Sequence, residues 1–211
     1  MTSKNNSTNK KNKILILFAH PSHEKSEVNV PLYQASKNIE DVTIVDLYAE
    51  YPNFRINIDN EQQRLVRHDI IVFMFPLYWY STPAILKEWQ DLVLEYGFAY
   101  GSTGKALHGK KFFCALSAGG SAKAYRAEGY NHYTIRQLLH PLEQTAVLTG
   151  MQYIAPFTLF GSRTAVEENR IGQHVKDWRR LIEAMRDNKF DFEIAKDLPK
   201  LNRYLSLLIK D

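Results

Sequence analysis

Tyr78, Trp79 and Tyr80 stand together in the run Phe75-Pro-Leu-Tyr-Trp-Tyr-Ser-Thr-Pro83, between an apolar stretch and a segment with helical spacing. Three adjacent rings on a connection suit the stacking of a flat ligand; the plainer alternative is that they pack on a neighbouring helix. They cannot all turn into one core, so at least one must face a cleft or a partner. Pro76 closes the apolar stretch ahead of Leu77, while Ser81 or Thr82 can cap the helix that follows and Pro83 fits its first turn. A second cluster, His20-Pro-Ser-His-Glu-Lys-Ser26, leads into Glu27, Val28 and Asn29, where a helix is expected to open with Ser26 as its cap. Free backbone N–H groups at such a start favour a phosphate by about 0.3–1 kcal/mol per charge, and His20 could add a hydrogen bond. In the other reading Ser26 only caps and His20 only braces the loop. The third cluster is Ser117-Ala118-Gly119-Gly120, followed by Tyr125. Its glycines make either a plain turn or a place where successive N–H groups face a cleft and stabilise negative charge on a ligand, such as a reduced flavin ring.

These clusters follow apolar runs, and the runs dictate how they are positioned. Such runs recur at 13–19, 42–47, 69–75, 111–117 and 151–160, separated by segments of helical period at 27–38, 61–67, 83–96, 141–149 and 167–188. The alternation predicts an α/β fold, a doubly wound five-stranded parallel sheet with helices on both faces, and the flavodoxin-like order 2-1-3-4-5 suits five strands. In that order strands one, three and four are neighbours, so the three clusters converge at their carboxyl ends. The domain is expected over residues 13–189, after a polar, disordered tail at 1–12 and before an extension at 190–211 that packs on the domain or on a partner.

The chain has 211 residues, 45% hydrophobic and 24% charged, which fits one globular domain burying roughly 70% of its unfolded surface. Its net charge of +4 includes Lys4, Lys10, Lys11 and Lys13, so the body is nearly neutral and has no clustered basic face for nucleic acid. There is neither a signal-peptide pattern nor an apolar run long enough to span a bilayer, so a cytoplasmic location is expected. Cys114, alone in an apolar run, reads as a buried small hydrophobe and excludes an internal disulfide. No metal site is expected, because His20 and His23 have no third ligand nearby. Gly101-Ser-Thr-Gly-Lys105 is not a phosphate loop: Ala99 and Ala106 stand where its first glycine and its Ser or Thr are needed.

Taken together, Ala19-His-Pro with Ser26 and Asn29, Asp46-Leu-Tyr, Pro76-Leu-Tyr-Trp-Tyr-Ser-Thr-Pro, Gly97-Phe-Ala-Tyr-Gly101, Ala106-Leu-His-Gly-Lys110 and Gly119-Gly120 resemble the NAD(P)H:quinone oxidoreductase family. Within it, the ancillary oxidoreductases of glutathione-regulated potassium efflux systems are the nearest in pattern, over residues 13–185. The resemblance implies bound FMN in preference to FAD. Its phosphate would lie near His20 and Ser26, Glu27, Val28 and Asn29, with its ring against Pro76, Leu77, Tyr78, Trp79 and Tyr80 and against Ser117, Ala118, Gly119 and Gly120. It also implies NAD(P)H as co-substrate, two-electron hydride transfer to a quinone, and a homodimer whose interface includes the helix of Trp89 and the loop from Tyr96 to Tyr100. Tyr125 matches the family's charge-relay tyrosine, and the relay histidine falls at Asn131 or its neighbour His132. The same resemblance leaves open a regulatory role at the inner membrane face, on a potassium efflux antiporter. A flavodoxin-type one-electron carrier is the third reading, against which His20-Pro21 stands where such carriers have a Ser/Thr-rich phosphate loop.

Overall fold

Alternate residues of each apolar run end on opposite faces of one parallel sheet, which is why the runs are apolar throughout. In the computed structural model, which describes residues 10–210, the strands are β1 Ile14–Phe18, β2 Val42–Asp46, β3 Ile70–Pro76, β4 Lys111–Ala118, β5 Gln152–Tyr153 and β6 Phe157–Phe160. Their order is β2-β1-β3-β4, with β5 and β6 both pairing parallel to β4 in the fifth place. On β1 and β3, Leu15, Leu17, Ile71, Phe73 and Phe75 join one core while Ile14, Ile16, Phe18, Ile70, Val72 and Met74 join the other. The main helices are α1 Asn29–Ser36, α2 Ile58–Arg67, α3 Ala84–Val93, α4 His140–Leu148 and α5 Ile171–Arg186. Residues of α2, α3 and α4 close the first core; those of α1 and α5 close the second.

The expected fifth strand at 151–160 is broken. Phe112 pairs with Tyr153 and Ala115 with Phe157, so this strand spends one residue more than β4 across the gap that contains Pro156. A proline cannot donate to the ladder and is tolerated at an edge or bulge. The C-terminal extension meets the backbone freed there. Ala155 N–H donates to the Ala195 carbonyl at 3.2 Å, Leu201 N–H to the Pro156 carbonyl at 2.9 Å, and Thr158 N–H to Asn202 Oδ1 at 2.8 Å. Phe190, Ala195, Leu201, Leu205 and Leu208 are buried in the second core, so the extension packs on its own domain and covers an otherwise open sheet edge. Of the expected disordered tail, residues 1–9 lie outside the described residues. Asn12 is tied down, its N–H donating to the Arg186 carbonyl at 2.8 Å.

Trp89, on the helix expected at a subunit interface, turns its own ring into the core. Its indole is 1% exposed and donates to the buried Glu61 carboxylate at 2.9 Å, which also accepts from Tyr51 Oη at 2.6 Å and pairs with Arg64. The inward position follows from helical spacing with Ile85, Leu86 and Val93, all buried on the same stripe. What α3 presents outward is Lys87, Glu88 and Asp91.

Candidate functional site

The ends of β1, β3 and β4 open into a cleft of about 830 Å³, within the roughly 300–1,000 Å³ usual for small-molecule sites. Its walls include His20, Ser26, Glu27, Val28, Leu77, Tyr78, Trp79, Tyr80, Ser117, Gly119, Gly120 and Tyr125. Four expected residues do not line it. Pro76 and Ala118 are buried at the strand ends beneath the loops, and Asn29 is buried at the start of α1. His132 is exposed, has a φ of 60° and stands outside the cleft lining. Asn131 lines the cleft in its place, accepting from Tyr80 Oη at 3.1 Å.

The aromatic loop is a tight turn of an unusual composition. Tyr78 and Ser81 form an antiparallel bridge, Ser81 N–H donating to the Tyr78 carbonyl at 3.0 Å, and the two central residues have φ of 49° (Trp79) and 62° (Tyr80). Such a primed turn favours Asn-Gly, and each bulky residue forced into the left-handed region costs about 1–2 kcal/mol. In exchange the turn holds Trp79 93% exposed, with Tyr78 and Tyr80 each close to half exposed. Neither Ser81 nor Thr82 caps α3: the cap position falls on Pro83, which has no side-chain acceptor to offer, and the helix ends at Val93, short of the expected Tyr96.

The first loop is braced from β2. Asp46 accepts from Tyr48 N–H and Ala49 N–H through Oδ1 and meets His23 Nδ1 at 3.1 Å through Oδ2. Ser26 Oγ accepts from Val30 N–H at 3.2 Å, but the helix starts at Asn29, two residues later than its spacing predicts, with Val28 in place of Ser26 at the cap position. Among the described residues no acceptor meets the backbone N–H groups of Glu27, Val28 and Asn29, so the start of α1 presents donors of the kind that hold a phosphate. Asn29 is 1% exposed, and among the described residues neither its Oδ1 nor its Nδ2 has a hydrogen-bond partner. A buried amide left so costs about 1–3 kcal/mol, an arrangement that fits a site completed by a ligand. His20 Nδ1 accepts from Ser22 N–H at 3.2 Å, which puts the proton of the neutral ring on Nε2 as a donor. Burial, then the neighbouring His23, lowers its pKa, so the ring is neutral at pH 7.

Sequence reasoning missed the positive charge in the cleft, which Lys25 and Arg163, the latter on the turn after β6, bring to a lining that also contains Glu27. Arg163 Nε lies 3.5 Å from where a Cβ on Gly119 would stand. The signal was present, since residues 161–164 follow a strand at the same carboxyl edge. Tyr125 is 9% exposed; burial first, then Tyr80, raise its pKa against the opposing backbone hydrogen bond of Gly120, so it remains a protonated donor at neutral pH. Among the described residues no group of three potential metal ligands occurs, and no helix is long and apolar enough to cross a membrane.

A profile of the Flavodoxin_2 family, described as a flavodoxin-like fold, matches residues 12–182. General stress protein 14 of Bacillus subtilis is 48% identical over 157 residues, covering 74% of this chain and 90% of that protein. The glutathione-regulated potassium-efflux system ancillary protein KefG of Serratia proteamaculans is 46% identical over 72% of this chain and 82% of its own length. Among solved structures, general stress protein 14 of Treponema denticola in complex with FMN superposes with a TM-score of 0.77 at 38% identity, over 82% of this chain and 99% of that one. An NADPH-quinone reductase from P. pentosaceus gives 0.72 at 30% identity, over 80% and 96%. With its sheet order, its carboxyl-edge cleft and a profile match across most of its length, the chain belongs to the Flavodoxin_2 family of flavodoxin-like NAD(P)H oxidoreductases.

Proposed function

We propose that this protein is an FMN-dependent NAD(P)H:quinone oxidoreductase working by two half-reactions in the cleft described above. The observation that carries the reading is the strained turn at Trp79 and Tyr80, which holds two bulky rings open beside the free N–H groups of α1. FMN bound there would supply the hydride chemistry that links NAD(P)H to a quinone-class acceptor. The chain's own part is binding, orientation and electrostatics. The N–H groups of Glu27, Val28 and Asn29 hold the phosphate with His20 Nε2, and Trp79 provides the stacking face. The backbone of Ser117–Gly120, with the charge of Arg163 alongside, favours negative charge on the ring. Tyr125, kept protonated, donates a hydrogen bond at the same edge. His132 has no part in this reading, since it lies off the cleft; Asn131 orients Tyr80 instead. A second copy of the chain, set against the outer face of α3 and the loop 96–100, completes the pocket and excludes water.

The likeness to KefG supports a second role, as an ancillary subunit on the inner face of a potassium efflux antiporter. Titrating desalted protein with FMN while following flavin fluorescence tests the first reading: quenching with one FMN per chain is expected, and no quenching at micromolar protein refutes the oxidoreductase and leaves the ancillary role.

A further inference from the structure

A second cavity, of about 580 Å³, adjoins the cleft through Tyr125, which lines both. One wall is the C-terminal extension at Asp197–Arg203; the other is the loop after β4 and the end of β6. The family profile stops at residue 182, so the extension wall lies outside the matched region. Arg136 fastens it, Nη1 donating to the carbonyls of Lys196 and Leu198 at 2.7 Å each and Nη2 to Glu143 at 2.9 Å. That leaves Arg126, Lys200 and Arg203 around the cavity. Among the described residues no carboxylate forms an ion pair with any of the three, and Asp197 is the single acidic residue of the lining. Lys200 Nζ lies 5.0 Å from the centroid of the Phe160 ring, which with Tyr125 gives the cavity an aromatic floor.

We propose that this cavity takes the adenine and 2′-phosphate end of NADPH while the nicotinamide end reaches the adjoining cleft, so that the chain selects NADPH over NADH. The inference rests on the oxidoreductase reading for its ligand, but the extension supplies its argument. A phosphate monoester carries about −1.5 to −2 charges at pH 7 and seeks several charge-assisted donors at once. Three cations held together without partners repel one another, and an anion relieves that repulsion. Lys200 feels it: burial, then Arg203 and Arg126, lower its pKa. The Phe160 ring beneath Lys200, with Tyr125 beside it, suits a purine, and the shared wall at Tyr125 sets the cavity next to the cleft, as a ligand with two ends requires.

Calorimetric titration of the protein with 2′,5′-ADP and with 5′-AMP tests the site without turnover. The expected result is about tenfold or greater preference for 2′,5′-ADP, equivalent to roughly 1.4 kcal/mol, and loss of that preference in the double variant Lys200→Met, Arg203→Gln. Arg126→Gln, on a different loop, is expected to weaken the same preference, which guards against a folding defect confined to the extension. In steady state, the ratio of kcat/KM for NADPH over NADH falls about tenfold in the double variant. Equal binding of the two nucleotides, preference unchanged in the variants, or inorganic phosphate competing as well as 2′,5′-ADP overturns the inference. Preference present but no turnover with either nucleotide refutes the oxidoreductase reading and leaves the nucleotide site standing; turnover without preference does the reverse.

Discussion

Replacing Trp79 by Ala separates a ligand platform from a packing residue. The side chain is 93% exposed, so its removal takes almost no apolar surface out of the core, and apo stability should change by less than about 0.5 kcal/mol. Losing an aromatic stack costs about 1–3 kcal/mol of ligand binding, which raises the FMN dissociation constant by about 5- to 150-fold. Trp79→Gly sharpens the argument, because φ is 49° there and glycine adopts that region freely. Relief of the left-handed strain should stabilise the apo protein by about 1 kcal/mol while flavin affinity still falls. Urea unfolding without flavin and fluorescence titration with FMN measure the two effects separately. A Trp79→Ala protein that loses stability yet keeps its FMN affinity would refute the reasoning and make the ring a packing or subunit-contact residue.

Other perturbations address the supporting structure. Asn29→Ala removes an amide that is buried without partners, so apo stability should hold while FMN affinity drops; equal loss of both would make Asn29 a scaffold residue. Glu61→Ala strips the acceptor from Tyr51, Trp89 and Arg64 and should destabilise the fold by about 3–5 kcal/mol, with FMN affinity of the folded protein unchanged at saturating stability. His174, stacked on Phe157 with centroids 4.5 Å apart, has its pKa lowered to about 4 by burial and by Arg170. The unfolded chain therefore binds the extra proton first, near pH 6.5, and stability must fall as pH drops from there toward 4; going from pH 7 to 5 costs about 2 kcal/mol from this group. His174→Phe should remove most of that slope in urea titrations at the two pH values, and an unchanged slope contradicts the assignment.

The sheet and its order were legible because burial on both faces writes near-continuous apolar runs, as at Ile70–Phe75, and their spacing leaves room for one helix between each pair. The aromatic loop was legible for a similar reason: three rings on a turn cannot share one core. The break at Pro156 was not, since its stability depends on Ala195, Leu201 and Asn202 more than thirty residues away, a long-range fact that local pattern cannot carry. Trp89 illustrates the same limit. Its helical spacing puts it on the buried stripe, but the indole's partner Glu61 lies 28 residues away, and only the tertiary structure brings the two together. That Asn131 and not its neighbour His132 lines the cleft is a matter of local backbone conformation that residue type does not report, whereas Arg163 was within reach of sequence reasoning through its place after a strand at the same edge.

The central claim is that the cleft turns over hydride through a bound flavin. Anaerobic addition of NADPH to the FMN-reconstituted, desalted protein, followed at the visible flavin band, tests it most directly when a quinone is then admitted. Full bleaching by NADPH and stoichiometric return of the band on adding quinone is the predicted result. A retained flavin that neither NADPH nor NADH bleaches would contradict the claim and leave the protein a regulatory subunit or an electron carrier.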